Sequence, residues 1–311
     1  MRYTRKAVPK RIISNKKTRS AIKKQTATIE TQTEWITPER IISERITPDV
    51  SSPLPIVIDP TLERIEIPHY IPKRQDATIE KNSNTIPLII YQTWNSTCVP
   101  LHMANNIVRL LTTNPEFDYY LYDDLQSREF ILYHFGQEVA NAYDALIPGA
   151  YKSDLWRYCV LYINGGFYLD MKFYSAIPLI KLLEYGPTIF VKDLHTVNSS
   201  SDDLYNAFMA STPNNEIFKH CIKDIVLSCK FKLYHRTMLD ITGPGLLGRM
   251  MMKYYPELFH SYIKDFKLQG DCIMKSEQTI FAQYPEYREE QRRFQTTPHY
   301  GGLYFARQVY H

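Results

Sequence analysis

The sequence predicts an α/β fold, with a mostly parallel sheet flanked by helices and a disordered or loosely attached N-terminal arm in front of it. Three observations carry this. From residue 86 onward, short apolar runs alternate with stretches whose apolar residues recur at spacings of three and four. All 11 glycines lie between Gly136 and Gly302, whereas 8 of the 19 prolines precede residue 80, so two kinds of chain join near that point. The charge divides in the same place: residues 1–80 hold fifteen basic against ten acidic side chains, and residues 81–311 hold 22 against 23. The formal net charge of +4 therefore belongs to the arm, which argues against a uniformly basic nucleic-acid-binding domain.

The arm, residues 1–80, begins with ten Lys or Arg and no Asp or Glu in its first 24 residues. The rest is rich in Thr, Ile, Glu and Pro, with an echo of ITPE at 36–39 and ITPD at 46–49. Prolines at 38, 48, 53, 55, 60, 68 and 72 prevent a sustained helix and remove ladder donors. Such a segment reads as a solvated tail, with contact to nucleic acid, an anionic membrane or an acidic partner as the sharper alternative.

The globular domain, residues 81–311, opens with IPLIIYQTW at 86–94, a buried strand. A helix is predicted over 101–113, ended by Asn114 and Pro115, then a strand over 117–124. Asp124 is expected to cap a helix running to about Phe135. Another helix spans 137–147. Over 150–163 the apolar set Leu155, Trp156, Cys159, Val160 and Ile163 forms a helical stripe, ended by Asn164-Gly165-Gly166, with a strand at 167–171. Further on, 187–193 reads as a strand, 214–230 and 242–255 as helices, and 265–311 as strands and loops. Ligands of such sheets gather at the carboxyl ends of strands, where Trp94 and Asp170 both stand.

The five cysteines are odd in number and scattered, with no C-x-x-C pair, which argues against a disulfide framework and a cysteine-built zinc site and fits a reducing compartment. No apolar run approaches the ~18–20 residues of a bilayer-spanning helix, and no apolar stretch follows the basic start as in a secretory signal. A cytoplasmic protein without a transmembrane segment is the expectation.

The densest chemistry lies between Ser153 and Lys172. Taken alone, Asp154 and Arg157, three apart on a helix, are most often a solvated ion pair, and Gly165-Gly166 is a helix stop. Together with an aromatic strand ending in Asp170 they resemble one family, the retaining glycosyltransferases of family 32 with a D-x-D sugar-binding region. The family pattern S-D-x-x-R is similar to Ser153-Asp154-Leu155-Trp156-Arg157. Its G-G-x-Y-x-D-x-D is similar to Gly165-Gly166-Phe167-Tyr168-Leu169-Asp170-Met171-Lys172. An opening Ile86-Pro87, Gln92 and Trp94, a later Gly243-Pro244, and a terminal His299-Tyr300 with Leu303-Tyr304 extend the resemblance over residues 86–311. Within the family the chain looks most like copies carried by large DNA viruses, which would place it in host cytoplasm or a virion.

The resemblance implies a GT-A-type, Rossmann-like fold binding a nucleotide sugar, with a glycan or glycoprotein hydroxyl as acceptor. It implies catalytic positions at Asp170, Lys172, Arg157 and Asp154. It implies donor-binding positions at Trp94, Gln92, Ser153, Tyr168, Gly165 and Gly166, Trp94 stacking on the base unless it is a core indole. A Mn²⁺ or Mg²⁺ would be held by Asp170, with His299 completing the shell. Lys172 departs from the family, because it stands where the second Asp supplies a metal ligand. Three readings stay open: Lys172 replaces the metal, it points away from a retained metal, or the chain is a catalytically silent nucleotide-sugar binder. An interaction protein whose arm is the functional part is the rival of a different class.

Overall fold

The computed structural model describes residues 54–77, 85–194, 202–262 and 265–311. The basic block at 1–24 and the ITPE/ITPD echo lie outside the described residues. The chain divides into two units, Met1–Glu39, wholly outside them, and Arg40–His311.

Among the described residues ten strands form one sheet, in the order β2 (Tyr70–Ile71), β5 (Asp118–Tyr122), β3 (Ile89–Thr93), β6 (Gly166–Leu169), β9 (Leu204–Ser211), β8 (Thr188–Lys192), β10 (Phe266–Gln269), β11 (Cys272–Lys275), β12 (Gln278–Gln283) and β7 (Phe173–Ser175). A two-stranded ladder, β1 (Arg64–Glu66) with β4 (Cys98–Pro100), stands apart. The α/β class holds, but the sheet is mixed, correcting the mostly parallel expectation. Parallel pairing is confined to β3 with β5 and β6, and to β8 with β10. The remaining pairs are antiparallel. The cause is connection length: a parallel return needs a crossover of a dozen or more residues, whereas β10, β11 and β12 are joined by two-residue turns. Gly270 (φ +58°) and Ser276 (φ +51°) supply the left-handed backbone these turns require.

Helices cover both faces, because successive strand side chains point to opposite sides. Phe167 and Leu169 of β6 join the core cluster with Met103, Ala104, Ile107 and Leu110 of α1 (Leu101–Thr113). Between them Tyr168 meets Trp156 on the other face, with ring centroids 6.1 Å apart. Trp156 belongs to α4 (Gly149–Asn164), which packs among α2 (Asp124–Phe135), α3 (Gln137–Ala145) and α5 (Glu216–Phe231). Surrounded in this way, α4 is buried continuously from Asp154 to Ile163, not along one stripe. After α5 come α6 (Pro244–Tyr254) and α7 (Pro256–Tyr262). Two helices, α8 (Tyr287–Phe294) and α9 (Tyr300–Phe305), lie where strands and loops alone were expected. Asp123, not Asp124, caps α2: its carboxylate accepts from Gln126 N at 2.8 Å and Gln126 Oε1 accepts the Asp123 N–H in return.

The arm's boundary at residue 80 is also corrected. Ile56, Ile65, Ile67 and Ile71 are buried in the main core, and β2 pairs with β5 at the edge of the large sheet. The prolines on either side of β2, Pro68 and Pro72, are tolerated because an edge strand can spare ladder donors.

Candidate functional site

The parallel pairing of β3 with β6 builds the site. Tyr91 lies opposite Tyr168, so Trp94 and Asp170, each just beyond its strand, emerge at the same sheet edge. They line a cleft of about 860 Å³ together with Ser153, Asp154 and Arg157 of α4 and residues of the β8, β9 and α8–α9 regions.

At its floor six side chains interlock. Asp154 is 7% exposed and Arg157 5%, on a helix with no solvent-facing side there, so each needs partners. Asp154 Oδ1 accepts from Asn206 Nδ2 at 2.9 Å and Oδ2 from the Thr242 hydroxyl at 2.7 Å. Burial raises the Asp154 pKa, opposed first by the Arg157 charge and then by these hydrogen bonds. Arg157 Nη2 stands 3.4 Å from Asp154 and 3.3 Å from Asp170, and Nη1 donates to the Asn206 carbonyl at 2.8 Å. Its guanidinium lies over the Tyr168 ring, 4.3 Å from the centroid. The Tyr168 hydroxyl donates to Asp170 Oδ1 at 2.8 Å. Asp154 and Arg157 are thus a buried scaffold under Asp170, not the solvated pair their spacing alone suggests.

Lys172 faces Asp170 from the other side, with Nζ 3.4 Å from Oδ2. Its side chain is largely buried, with Nζ 5.1 Å from the Phe173 ring centroid and 5.3 Å from that of Tyr205. Burial alone would lower its pKa, but Tyr205, Asp170 and Tyr287 outweigh burial and hold it above the ordinary value, so the ammonium is charged at neutral pH. Asp193, after β8, also lines the cleft. Burial, aided by Asp203, raises its pKa to about 6 against the pull of the Leu194 N–H and Lys172.

The expected site residues divide on this geometry. Trp94, Ser153, Asp154, Arg157, Tyr168, Asp170, Lys172 and His299 all line the cleft. Trp94 also packs on the core, so both of its expected roles have support, and its indole N–H finds no acceptor among the described residues. Gln92 is fully buried beneath the site: Nε2 donates to the Leu169 carbonyl at 3.1 Å, and Tyr119 donates to Oε1 at 3.0 Å. It supports the backbone before Asp170 and does not line the cleft. Gly165 (φ +63°) and Gly166 (φ +95°) do not line it either. A Cβ on Gly165 would lie 2.6 Å from Pro213 N, and one on Gly166 2.9 Å from the Ile89 carbonyl, so these glycines serve close chain approach. Asn206, Thr242, Tyr205 and Asp193 escaped sequence reasoning because they stand in no motif and reach the site only through folding.

The groups around Asp170 are already engaged with one another, which bears on the expected divalent ion. Asp170 Oδ1 already receives Tyr168 and faces Arg157, and Oδ2 faces Lys172. His299 Nδ1 accepts the Gly301 N–H at 3.1 Å, capping α9, and its ring lies against Tyr300. No cluster of three His, Cys, Asp or Glu suited to a metal occurs among the described residues. Two unit charges 4 Å apart interact by ~4 kcal/mol at an effective dielectric of 20, and twice that for a divalent ion beside the ammonium. These residues do not fit the expected metal.

Residues 100–186 match the family model described as a glycosyltransferase sugar-binding region containing the DXD motif. The resemblance read from the motifs is therefore borne out across α1 to β7, with Lys172 in place of the motif's second Asp. Inositol phosphoceramide mannosyltransferase 2 of Schizosaccharomyces pombe is 29% identical over 197 residues, 60% of this chain and 55% of that protein. An uncharacterized glycosyltransferase of Acanthamoeba polyphaga mimivirus is 28% identical over 144 residues, 46% of this chain and 56% of that one. The chain spans about half the length of these curated relatives. Among solved structures, the PaToxG glycosyltransferase aligns with a TM-score of 0.44 at 17% identity, covering 57% of this chain and 73% of that chain. No helix among the described residues is long and apolar enough to cross a membrane.

Proposed function

We propose that this chain is a retaining glycosyltransferase that moves a sugar from a nucleotide-sugar donor to a hydroxyl of a glycan, glycoprotein or glycolipid. The observation that carries this reading is Asp170, held in the cleft by Tyr168, Arg157 and Lys172 within a D-x-D-type sugar-binding region. Mannose is the first donor sugar to try, because the fission-yeast relative is named a mannosyltransferase.

In this reading the donor's base lies on Trp94, which lines that end of the cleft. Asp170 binds donor hydroxyls, oriented by its two cationic neighbours. The acceptor hydroxyl attacks the anomeric carbon on the face the diphosphate leaves. The carbon–oxygen bond to the diphosphate breaks with its electron pair going to the phosphate oxygen, and the acceptor's proton passes to that oxygen. Catalysis is then positioning plus stabilisation of the departing charge, and no protein base is required.

The test is hydrolysis and transfer with GDP-mannose and a panel of UDP-sugars. Turnover of at least one donor is expected, with Asp170→Asn lowering kcat by about a hundredfold or more while the circular dichroism spectrum is kept. No turnover of any donor, with nucleotide binding intact, would instead support the silent binder, a second reading that the Lys172 substitution favours.

A further inference from the structure

We infer that the Lys172 ammonium is this protein's substitute for the divalent cation, so that it binds nucleoside diphosphates and releases them from the sugar without a metal. The inference rests on the transferase reading above and adds to it how the leaving diphosphate is neutralised.

Position comes first. Lys172 follows β6 by three residues, on the turn into β7, and lines the cleft two residues beyond Asp170. Its Nζ stands 3.4 Å from Asp170 Oδ2, with the Phe173 and Tyr205 ring centroids 5.1 Å and 5.3 Å away. An ammonium carries three donors. At most two of these are engaged by Asp170 and Tyr205, which leaves at least one for a phosphate oxygen. The side chain is only 16% exposed, so burial already limits its freedom and little side-chain entropy is lost when a ligand arrives.

Charge comes second. Asp154, Asp170, Arg157 and Lys172 hold two negative and two positive side chains, with the Asp193 carboxyl also acting on Lys172. A dication would enter beside a fixed cation, whereas a diphosphate would meet an ammonium already in place. The ammonium needs no dissociable partner and gives no proton in the step. The glycosyl–oxygen bond breaks with its pair on the diphosphate, the acceptor oxygen bonds the anomeric carbon, and the acceptor's proton goes to the diphosphate. Lys172 contributes only charge and a hydrogen bond, which strengthen as negative charge collects on the leaving oxygen.

The experiment is titration calorimetry of the full chain with GDP and UDP, in EDTA and in excess Mn²⁺, alongside electron paramagnetic resonance of Mn²⁺ added to the protein alone. For whichever nucleotide binds, the expected Kd agrees within about threefold between the two conditions, and the protein leaves the Mn²⁺ signal that of the free ion. Lys172→Gln should weaken binding about tenfold or more with near-ultraviolet dichroism unchanged, and Lys172→Arg should restore most of it. Lys172→Asp should acquire Mn²⁺-dependent binding. A parent that binds about tenfold tighter with Mn²⁺, with Lys172→Gln unimpaired, overturns the inference and leaves the transferase reading standing. Failure of both nucleotides to bind in either condition overturns the two together. The parent's response to EDTA decides the matter even if a variant does not fold.

Discussion

Asp193 is a carboxyl whose ordinary pKa of 3.8 rises to about 6 where the cleft wall buries it. A folded-state pKa above the unfolded one means that the native state binds the extra proton. Its contribution to stability is full below about pH 4 and is lost as the pH climbs towards 6. Asp193→Asn removes that dependence. Denaturant unfolding at pH 4 and pH 7 should show the parent losing on the order of 1–3 kcal/mol relative to the variant across this interval. A constant difference between parent and variant would mean that Asp193 is as well solvated folded as unfolded. The sequence could not single out this residue, because its shift comes first from burial and then from Asp203, both brought about by folding and outweighing the opposing pull of Lys172. Asp170 was legible by contrast, since its motif carries the strand that ends beside it.

At the scale of elements, the joint between α4 and β6 holds Asp154 and Arg157 under Asp170. The Gly165-Gly166 stop was read correctly as a helix end, while the resemblance added a donor-binding role that the geometry does not give it. Gly165 combines φ +63° with a Cβ position 2.6 Å from Pro213 N and 2.7 Å from the Ser211 carbonyl, both backbone atoms that cannot swing aside. Gly165→Ala should therefore cost about 2 kcal/mol or more, roughly 4 °C or more in Tm for a chain of this size. Gly302, in α9, has no left-handed φ and open space around its Cβ position, so Gly302→Ala should stay within about 0.5 kcal/mol of the parent. Thermal melts of the two variants side by side check this. Equal melting temperatures would show that the joint yields. The ion pair on α4 shows why local spacing misleads: Asp and Arg three apart look solvated until the helices packed around them remove the water.

For the whole molecule, the boundary between arm and domain decides which chain to express. Residues 54–77 contribute four buried isoleucines and the edge strand β2. They are also tied down by side chains: the Tyr70 hydroxyl donates to Asp118 at 2.9 Å and Arg74 Nη2 donates to the Leu111 carbonyl at 2.8 Å. A chain beginning at residue 85 should be less stable than one beginning at residue 54 by several kcal/mol, at ~1.5–3 kcal/mol for each isoleucine side chain returned to water. Urea unfolding of the two truncations measures it. Matching midpoints would restore the boundary at residue 80.

By itself the sequence determined what depends on neighbours along the chain: the α/β alternation, α1 to the residue, the helix stop at Gly165, the placing of Trp94 and Asp170 at strand ends, and the D-x-D-type region with its Lys172 departure. Periodicity, glycine and motif spacing are local properties and survive in one dimension. The tertiary structure decided which strands reverse direction, that a proline-rich edge belongs to the core, and that Asn206 and Thr242 hold Asp154. It also decided that Arg157 and Lys172 bracket Asp170 where a metal was expected. Each of these is a contact between distant segments, and burial and charge balance there are set by what the fold brings together.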